Sequence, residues 1–166
     1  MDLRETFHDP WVWGQLGLFA VVLVLLPWAA QTVEPGGVFG LVAQASPGRR
    51  APGAVPLVAG LFISMYAAVS LGRNLTPATT PVEHGELIRR GPYARVRHPI
   101  YSGLILILWG LGWWTSNWRM GLVTGLLSWA YFDRKATVEE RKLRTRYPTY
   151  PDYAAGVPKL FPRLWR

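Results

Sequence analysis

Charge is absent from four blocks of this chain. Trp11–Ala30 runs 20 residues without Asp, Glu, Lys or Arg, and Ala51–Gly72 runs 22. Ile100–Trp118 is uncharged for 19 residues and Met120–Phe132 for 13 more. A helix crossing the hydrocarbon core of a bilayer needs about 20 apolar residues, so the first two blocks qualify directly. The last two flank the polar turn Thr115-Ser116-Asn117-Trp118-Arg119 and predict a tight helical hairpin. Its arms of about 15 residues reach roughly 22 Å at about 1.5 Å per residue. The pattern predicts an all-α integral membrane protein of about four transmembrane helices in a single domain.

Proline and glycine punctuate the polar segments between the blocks. Asp9-Pro10 predicts a cap for the first helix. Met1–Pro10 carries Asp2, Glu5 and Asp9 against one arginine, which is unlike the basic start of a signal peptide, so Trp11–Ala30 is expected to be a retained span. Residues 31–52 predict a Gly/Pro-rich outer loop. The second helix is expected from Val55 to Leu71, where Gly60, Ser64, Ala67 and Ala68 suit close helix packing in lipid. Residues 1–72 thus hold two spans, 73–99 an inner loop, 100–132 the hairpin and 133–166 an inner segment. That segment begins with a charged helix from about Asp133 to Arg146. The Tyr- and Pro-rich tail beyond it is expected to fold back against the membrane surface.

With the N-terminus inside, the inner segments 1–10, 73–99 and 133–166 hold 15 of the 18 Lys and Arg residues, which is the positive-inside bias of membrane proteins. The net charge of +8 therefore gives no support for nucleic acid, and anionic headgroups are the natural counter-surface. Cysteine is absent, which excludes disulfides, thiolate metal sites and a cysteine nucleophile. His8, His84 and His98 are not at metal-ligand spacings. The sequence offers no Walker loop, zinc spacing or dinucleotide fingerprint, and no ionisable residue lies inside a block as a pore or transporter would want.

The most ordered polar stretch is Leu87–Gly103, in front of the third block. Gly91-Pro92 predicts a turn, and His98-Pro99 an extended step into a helix with Pro99 in its first turn. Each residue here has a bland reading beside a functional one. His98 is either a helix-start histidine bonded to nearby backbone or a donor to an anionic group, helped by free N–H groups at the start of the third helix. Tyr93 and Tyr101 are either interfacial belt residues or walls able to stack on an adenine or contact a sulfonium. Gly103 and Gly110 serve either helix contact or cofactor approach. Lys135, Glu139 and Glu140 lie further on; Lys135 and Glu139 share a helix face, as a solvated ion pair or as part of a cation site.

Together these stretches resemble the integral-membrane methyltransferases related to isoprenylcysteine carboxyl methyltransferase and phospholipid N-methyltransferase. The matching residues are Leu87-Ile88 and Gly91-Pro92-Tyr93, then Arg97-His98-Pro99-Ile100-Tyr101-Ser102-Gly103. After a hairpin follow Glu139-Glu140, Leu143, Tyr150, Tyr153 and Val157-Pro158. The match covers about residues 72–162. It implies a cytosolic S-adenosylmethionine (SAM) site closed by the C-terminal segment. Its cofactor-binding residues would be Leu87, Ile88, Tyr93, His98, Pro99, Ile100, Tyr101, Gly103, Glu139 and Glu140. Lys135 stands where the family has a substrate arginine, keeping the charge without the bidentate fork; Lys135 and Arg97 are the candidate catalytic residues. The implied reaction is in-line methyl transfer to a lipophilic acceptor: a prenylated carboxylate, a phospholipid amine or a small apolar metabolite. The acceptor is expected to enter between the second helix and the hairpin. No residue stands out as a general base, and no metal is implied. A prokaryotic inner membrane is the expected location. The alternative is a non-catalytic membrane adaptor binding anionic lipid or a partner through its basic face; a nicotinamide-dependent reductase lacks a Gly-rich loop.

Overall fold

The computed structural model describes residues 9–22, 48, 51–80, 85–115 and 118–163. Helix α1, Pro10–Ala20, starts as its sequence dictates: Pro10 stands in the first turn and the Asp9 carboxylate accepts from the Trp11 N–H at 2.9 Å. Val21 and Val22 carry the chain onward; the rest of the first apolar block and most of the outer loop lie outside the described residues. Helix α2, Ala54–Leu71, agrees with the expected span. Gly72, at φ 55°, ends it in a conformation that glycine adopts without strain. Helix α3 is Pro99–Thr115, α4 is Trp118–Arg146 and α5 is Tyr150–Gly156. Gly91–Ala94 forms the expected turn, a single 3-10 step with Gly91 at φ 61°.

Two expectations about the second half need correction. The polar turn is shorter than five residues, because Thr115 still belongs to α3 and α4 begins at Trp118. The charged helix is also not separate. The polarity change at Asp133 does not break the helix, and α4 runs through it for 29 residues, about 44 Å. No glycine or proline interrupts the chain between Leu126 and Tyr147. The helix stops where Pro148 disfavours helical geometry at Tyr147.

Helices α2 and α3 meet backbone to backbone. A Cβ on Gly60 would lie 2.5 Å from the Gly103 carbonyl oxygen, and one on Gly110 would lie 2.7 Å from that of Gly53. Ser64 adds a hydrogen bond to the Ile100 carbonyl at 3.4 Å. This seam is close-packed where Gly53 and Gly60 meet Gly110 and Gly103. Helix α4 packs on the other side of α3, with the Thr124 hydroxyl donating to the Leu108 carbonyl at 2.9 Å and Gly112 lying against Thr124.

The tail completes the fold. Leu160 enters a core cluster with Val22, Ile105, Leu108 and Phe132. The Arg97 and His98 N–H groups donate to the Pro158 and Lys159 carbonyls at 2.9 and 3.0 Å. The start of α3 is therefore capped by the tail, and its backbone donors at Arg97 and His98 are not free for an anion.

Candidate active site

At the polar end of the bundle a cavity of about 340 Å³ opens between α1, the ends of α2 and α3, the middle of α4 and the tail. Helical geometry sorts the residues of α4 around it. Lys135 and Glu139 are one turn apart on the face turned to the cavity. Glu140, about 100° further round, lies on the far side of His98.

His98 stands between the two carboxylates. Its Nε2 is 3.2 Å from Glu140 Oε1 and its Nδ1 is 3.7 Å from Glu139 Oε2. Its ring stacks on Tyr101 with centroids 5.4 Å apart and planes 2° from parallel. Tyr101 donates its hydroxyl to Glu139 at 2.8 Å and rests on Phe132 at 5.1 Å. Glu139 is thus a half-buried carboxylate held on the cavity wall by a phenol and an imidazole.

Arg97 and Glu140 form the layer beneath. The guanidinium Nε donates to Glu140 at 2.8 Å, and Nη1 donates to the Ala154 carbonyl at 2.8 Å and to that of Val157. Burial would raise the Glu140 pKa, but the hydrogen bonds and charges of His98 and Arg97 outweigh it and hold the carboxyl at about 2. Arg97 fastens α5 to the start of α3. Further bonds close the same side: Tyr153 to the Tyr93 carbonyl at 2.5 Å, and Tyr147 to that of Gly85 at 2.6 Å.

Of the sequence candidates, Leu87, Ile88, Tyr93, Arg97, His98, Ile100, Tyr101, Lys135 and Glu139 line this one cavity. Pro99, Gly103 and Glu140 do not. Pro99 is buried at the start of α3, and Gly103 faces Gly60 and Ser64 across the α2 seam. Gln15, Asn74, Tyr147, Tyr150 and Tyr153 also line the cavity without having been assigned a role from sequence. Gln15 did carry a signal, as an amide in an otherwise apolar block. Asn74 clasps the two ends of the loop over the cavity, its side chain bonding the Glu86 N–H and carbonyl at 3.2 Å each. The Tyr150 hydroxyl is buried against the cavity and has no hydrogen-bond partner among the described residues.

The phospholipid methyltransferase sequence profile matches residues 49–150, which include most of these cavity-lining residues. The chain belongs to that family. Individual relatives match over 79 to 111 residues. The cobalt-zinc-cadmium resistance protein CzcN of Cupriavidus metallidurans is 32% identical over 82 residues, 49% of this chain and 38% of that protein. The nickel-cobalt-cadmium resistance protein NccN of Alcaligenes xylosoxydans xylosoxydans is 32% identical over 79 residues, 48% of this chain and 37% of its own. The protein-S-isoprenylcysteine O-methyltransferase of Schizosaccharomyces pombe is 28% identical over 111 residues, 65% of this chain and 47% of the relative. The matched stretches cover 37 to 47% of the length of these three relatives.

Proposed function

We propose that this chain is an integral-membrane, SAM-dependent methyltransferase acting on a lipophilic acceptor at the cytosolic membrane face. The observation that carries the reading is Glu139, a carboxylate fixed by Tyr101 and His98 in an aromatic, largely apolar cavity. Such a cavity suits SAM on three counts. Its volume falls in the range of small-molecule pockets, about 300–1,000 Å³. A carboxylate and tyrosine faces match a cationic ligand with an aromatic base. The Tyr150 hydroxyl, without a hydrogen-bond partner among the described residues, is available to a polar group of a ligand. When bound, SAM supplies a methyl group already activated by the positive charge on its sulfur.

The chain's own work in this reading is alignment and exclusion of water. Glu139 and His98 hold the polar part of the cofactor, Leu87, Ile88 and Tyr93 flank it, and Arg97 and Glu140 keep His98 and the tail in place. Glu139 belongs on the amino or ribose groups; held against the sulfur, it would stabilise the charge that the reaction removes. Leu71, Leu75, Ile100 and Leu104 give the same cavity an apolar wall for the acceptor.

Membrane insertion is supported by the distribution of polarity. Residues Ala51–Asn74 form a 24-residue helical stretch whose apolar 18-residue window has mean hydropathy 2.0, long and apolar enough to cross a bilayer. Its outer side chains, such as Phe62 and Val69, are 71 and 80% exposed, while Thr124 and Ser128 of α4 are fully buried. Apolar residues outside and small polar ones inside suit a helix bundle in lipid.

Methyl-labelled SAM incubated with the protein in lipid nanodiscs and a total lipid extract tests the reaction. Label is expected to enter the organic-extractable fraction, and Glu139→Gln is expected to lower that transfer by about 100-fold. Saturable binding of anionic lipid without any label transfer would instead support the adaptor.

A further inference from the structure

Gln15 is an amide in the otherwise apolar helix α1, and it forms part of the cavity wall. Its side-chain oxygen accepts from Lys135 Nζ at 2.6 Å, and the same Nζ donates to the Pro77 carbonyl at 2.8 Å. Lys135 has no exposed surface, so a ligand in the cavity meets the amide and not the lysine. A lysine head group offers N–H donors and nothing to accept one. The contact therefore decides which way the amide faces: Oε1 is spent on Lys135, and Nε2 is turned away from it.

Nε2 makes no hydrogen bond among the described residues. The buried side-chain polar atoms that lack a partner there are Trp109 Nε1 and the Tyr150 hydroxyl. Gln15 Nε2 is not one of them, so it keeps accessible surface on a half-buried residue of the cavity wall. It is an unspent donor within a ligand's reach.

Its position says which part of a ligand it meets. Lys135 lies one helical turn from Glu139, towards the apolar half of α4. Gln15 stands about 9 Å along α1 from Asp9. Leu18, on the next turn of α1, packs with Tyr101 and Leu104 against one core cluster. The amide thus sits beside the apolar wall, beyond the carboxylate that suits the cofactor. An apolar molecule filling that space would leave the N–H unpaired, whereas one carrying an oxygen would satisfy it. Gln15 also lies outside residues 49–150, over which the family profile matches.

We propose that Gln15, aimed by Lys135, is a specificity-determining residue that donates from Nε2 to a carbonyl-type oxygen of the lipophilic acceptor. The assignment rests on the methyltransferase reading and narrows its substrate class. The favoured acceptors carry a ketone, ester, amide or carboxylate oxygen near the nucleophile, and simple alkyl amines and thiols are disfavoured.

Gln15→Glu separates this role from a structural one. Glutamate keeps the shape and an oxygen for Lys135, and it replaces the N–H donors by a second acceptor. The chain has three glutamines, Gln15, Gln31 and Gln44, so protein labelled with nitrogen-15 in its glutamine side chains gives three amide groups of signals. The group missing from Gln15→Glu belongs to Gln15. Tridecan-2-one, added to the labelled protein in detergent micelles, is expected to shift the Gln15 amide protons downfield and saturably, and tridecane to leave them in place. No shift with the ketone, or the same shift with both, would overturn the proposal. Dodecanoate titrated in the same way tells a carboxylate oxygen from a neutral carbonyl by which of the two saturates first; either order supports the donor.

N-dodecanoylcysteamine and dodecanethiol present one nucleophile with and without an amide oxygen. With methyl-labelled SAM, the wild type is expected to prefer the first by about tenfold in kcat/KM, and Gln15→Glu to lose that preference. A preference that survives in Gln15→Glu would overturn the assignment. SAM affinity is expected to stay within about twofold in Gln15→Glu, and a loss of about tenfold would give the amide to the cofactor instead and overturn the proposal. Absence of SAM binding in the wild type would defeat the methyltransferase reading, while the response of the amide to the ketone would still report the oxygen site.

Discussion

Arg97→Met is expected to destabilise the protein by about 3–5 kcal/mol, because it strands a buried carboxylate. The side chains of Arg97 and Glu140 are only 12 and 9% exposed, and the guanidinium also carries the bonds to Ala154 and Val157. Loss of the arginine therefore leaves Glu140 with His98 as its remaining partner and unfastens α5 together. In detergent, the unfolding midpoint should fall and residues 154–163 should become cleavable by protease before the helices unfold. Removing the stranded charge as well, in Arg97→Met/Glu140→Gln, should recover a substantial part of the loss; an effect below about 0.5 kcal/mol in the single variant would show that the clasp bears little. The same carboxylate sets an acid limit. Its folded pKa of about 2 lies below the ordinary value of 4.5, so its stabilisation is complete above pH 4.5 and is lost as pH falls towards 2. The wild type should lose up to about 3 kcal/mol across that window, and Glu140→Gln should lose that part of the pH dependence.

The second large effect is one of sign. Glycine in a helix interior normally costs about 0.5–1 kcal/mol relative to alanine, so Gly17→Ala, with nothing among the described residues within 4 Å of its new methyl, should be neutral or slightly stabilising. Gly60→Ala should do the reverse. Its methyl would lie 2.5 Å from the Gly103 carbonyl oxygen and 2.8 Å from the Ile107 nitrogen, both backbone atoms of α3. Neither can move without separating the helices, and overpacking of this kind costs about 1–3 kcal/mol. Because α3 carries Arg97, His98 and Tyr101 at its start, that separation should also weaken ligand binding in the cavity. Equal melting of the Gly17 and Gly60 variants would mean that the seam is not close-packed.

What could be read in the sequence was local. Asp9-Pro10 starts a helix and Gly72 ends one because a cap and a positive φ are decided by adjacent residues. The continuity of α4 through Asp133 was missed because a change from apolar to charged alters a helix's surroundings without altering its backbone preference. The cavity depended on longer reach. Glu139 and Glu140 are neighbours in sequence, yet one faces the cavity and the other pairs with Arg97, a division visible only once His98 stands between them. Gln15 meets Lys135 across 120 residues, and the tail caps α3 with carbonyls some 60 residues away. Neither contact leaves a spacing to read. Tyr150 stood in the recognised motif, but its orphaned hydroxyl is a property of the packed site.

The account turns on whether Glu139 and the ring it shares with His98 and Tyr101 hold SAM. Calorimetric titration of SAM into the protein in lipid nanodiscs, with Glu139→Gln and His98→Ala beside the wild type, measures that directly. Saturable one-site binding in the wild type, weakened at least about tenfold in each variant (about 1.4 kcal/mol), is the predicted result. Folded wild-type protein that binds no SAM, or binds it equally well in all three forms, would contradict it.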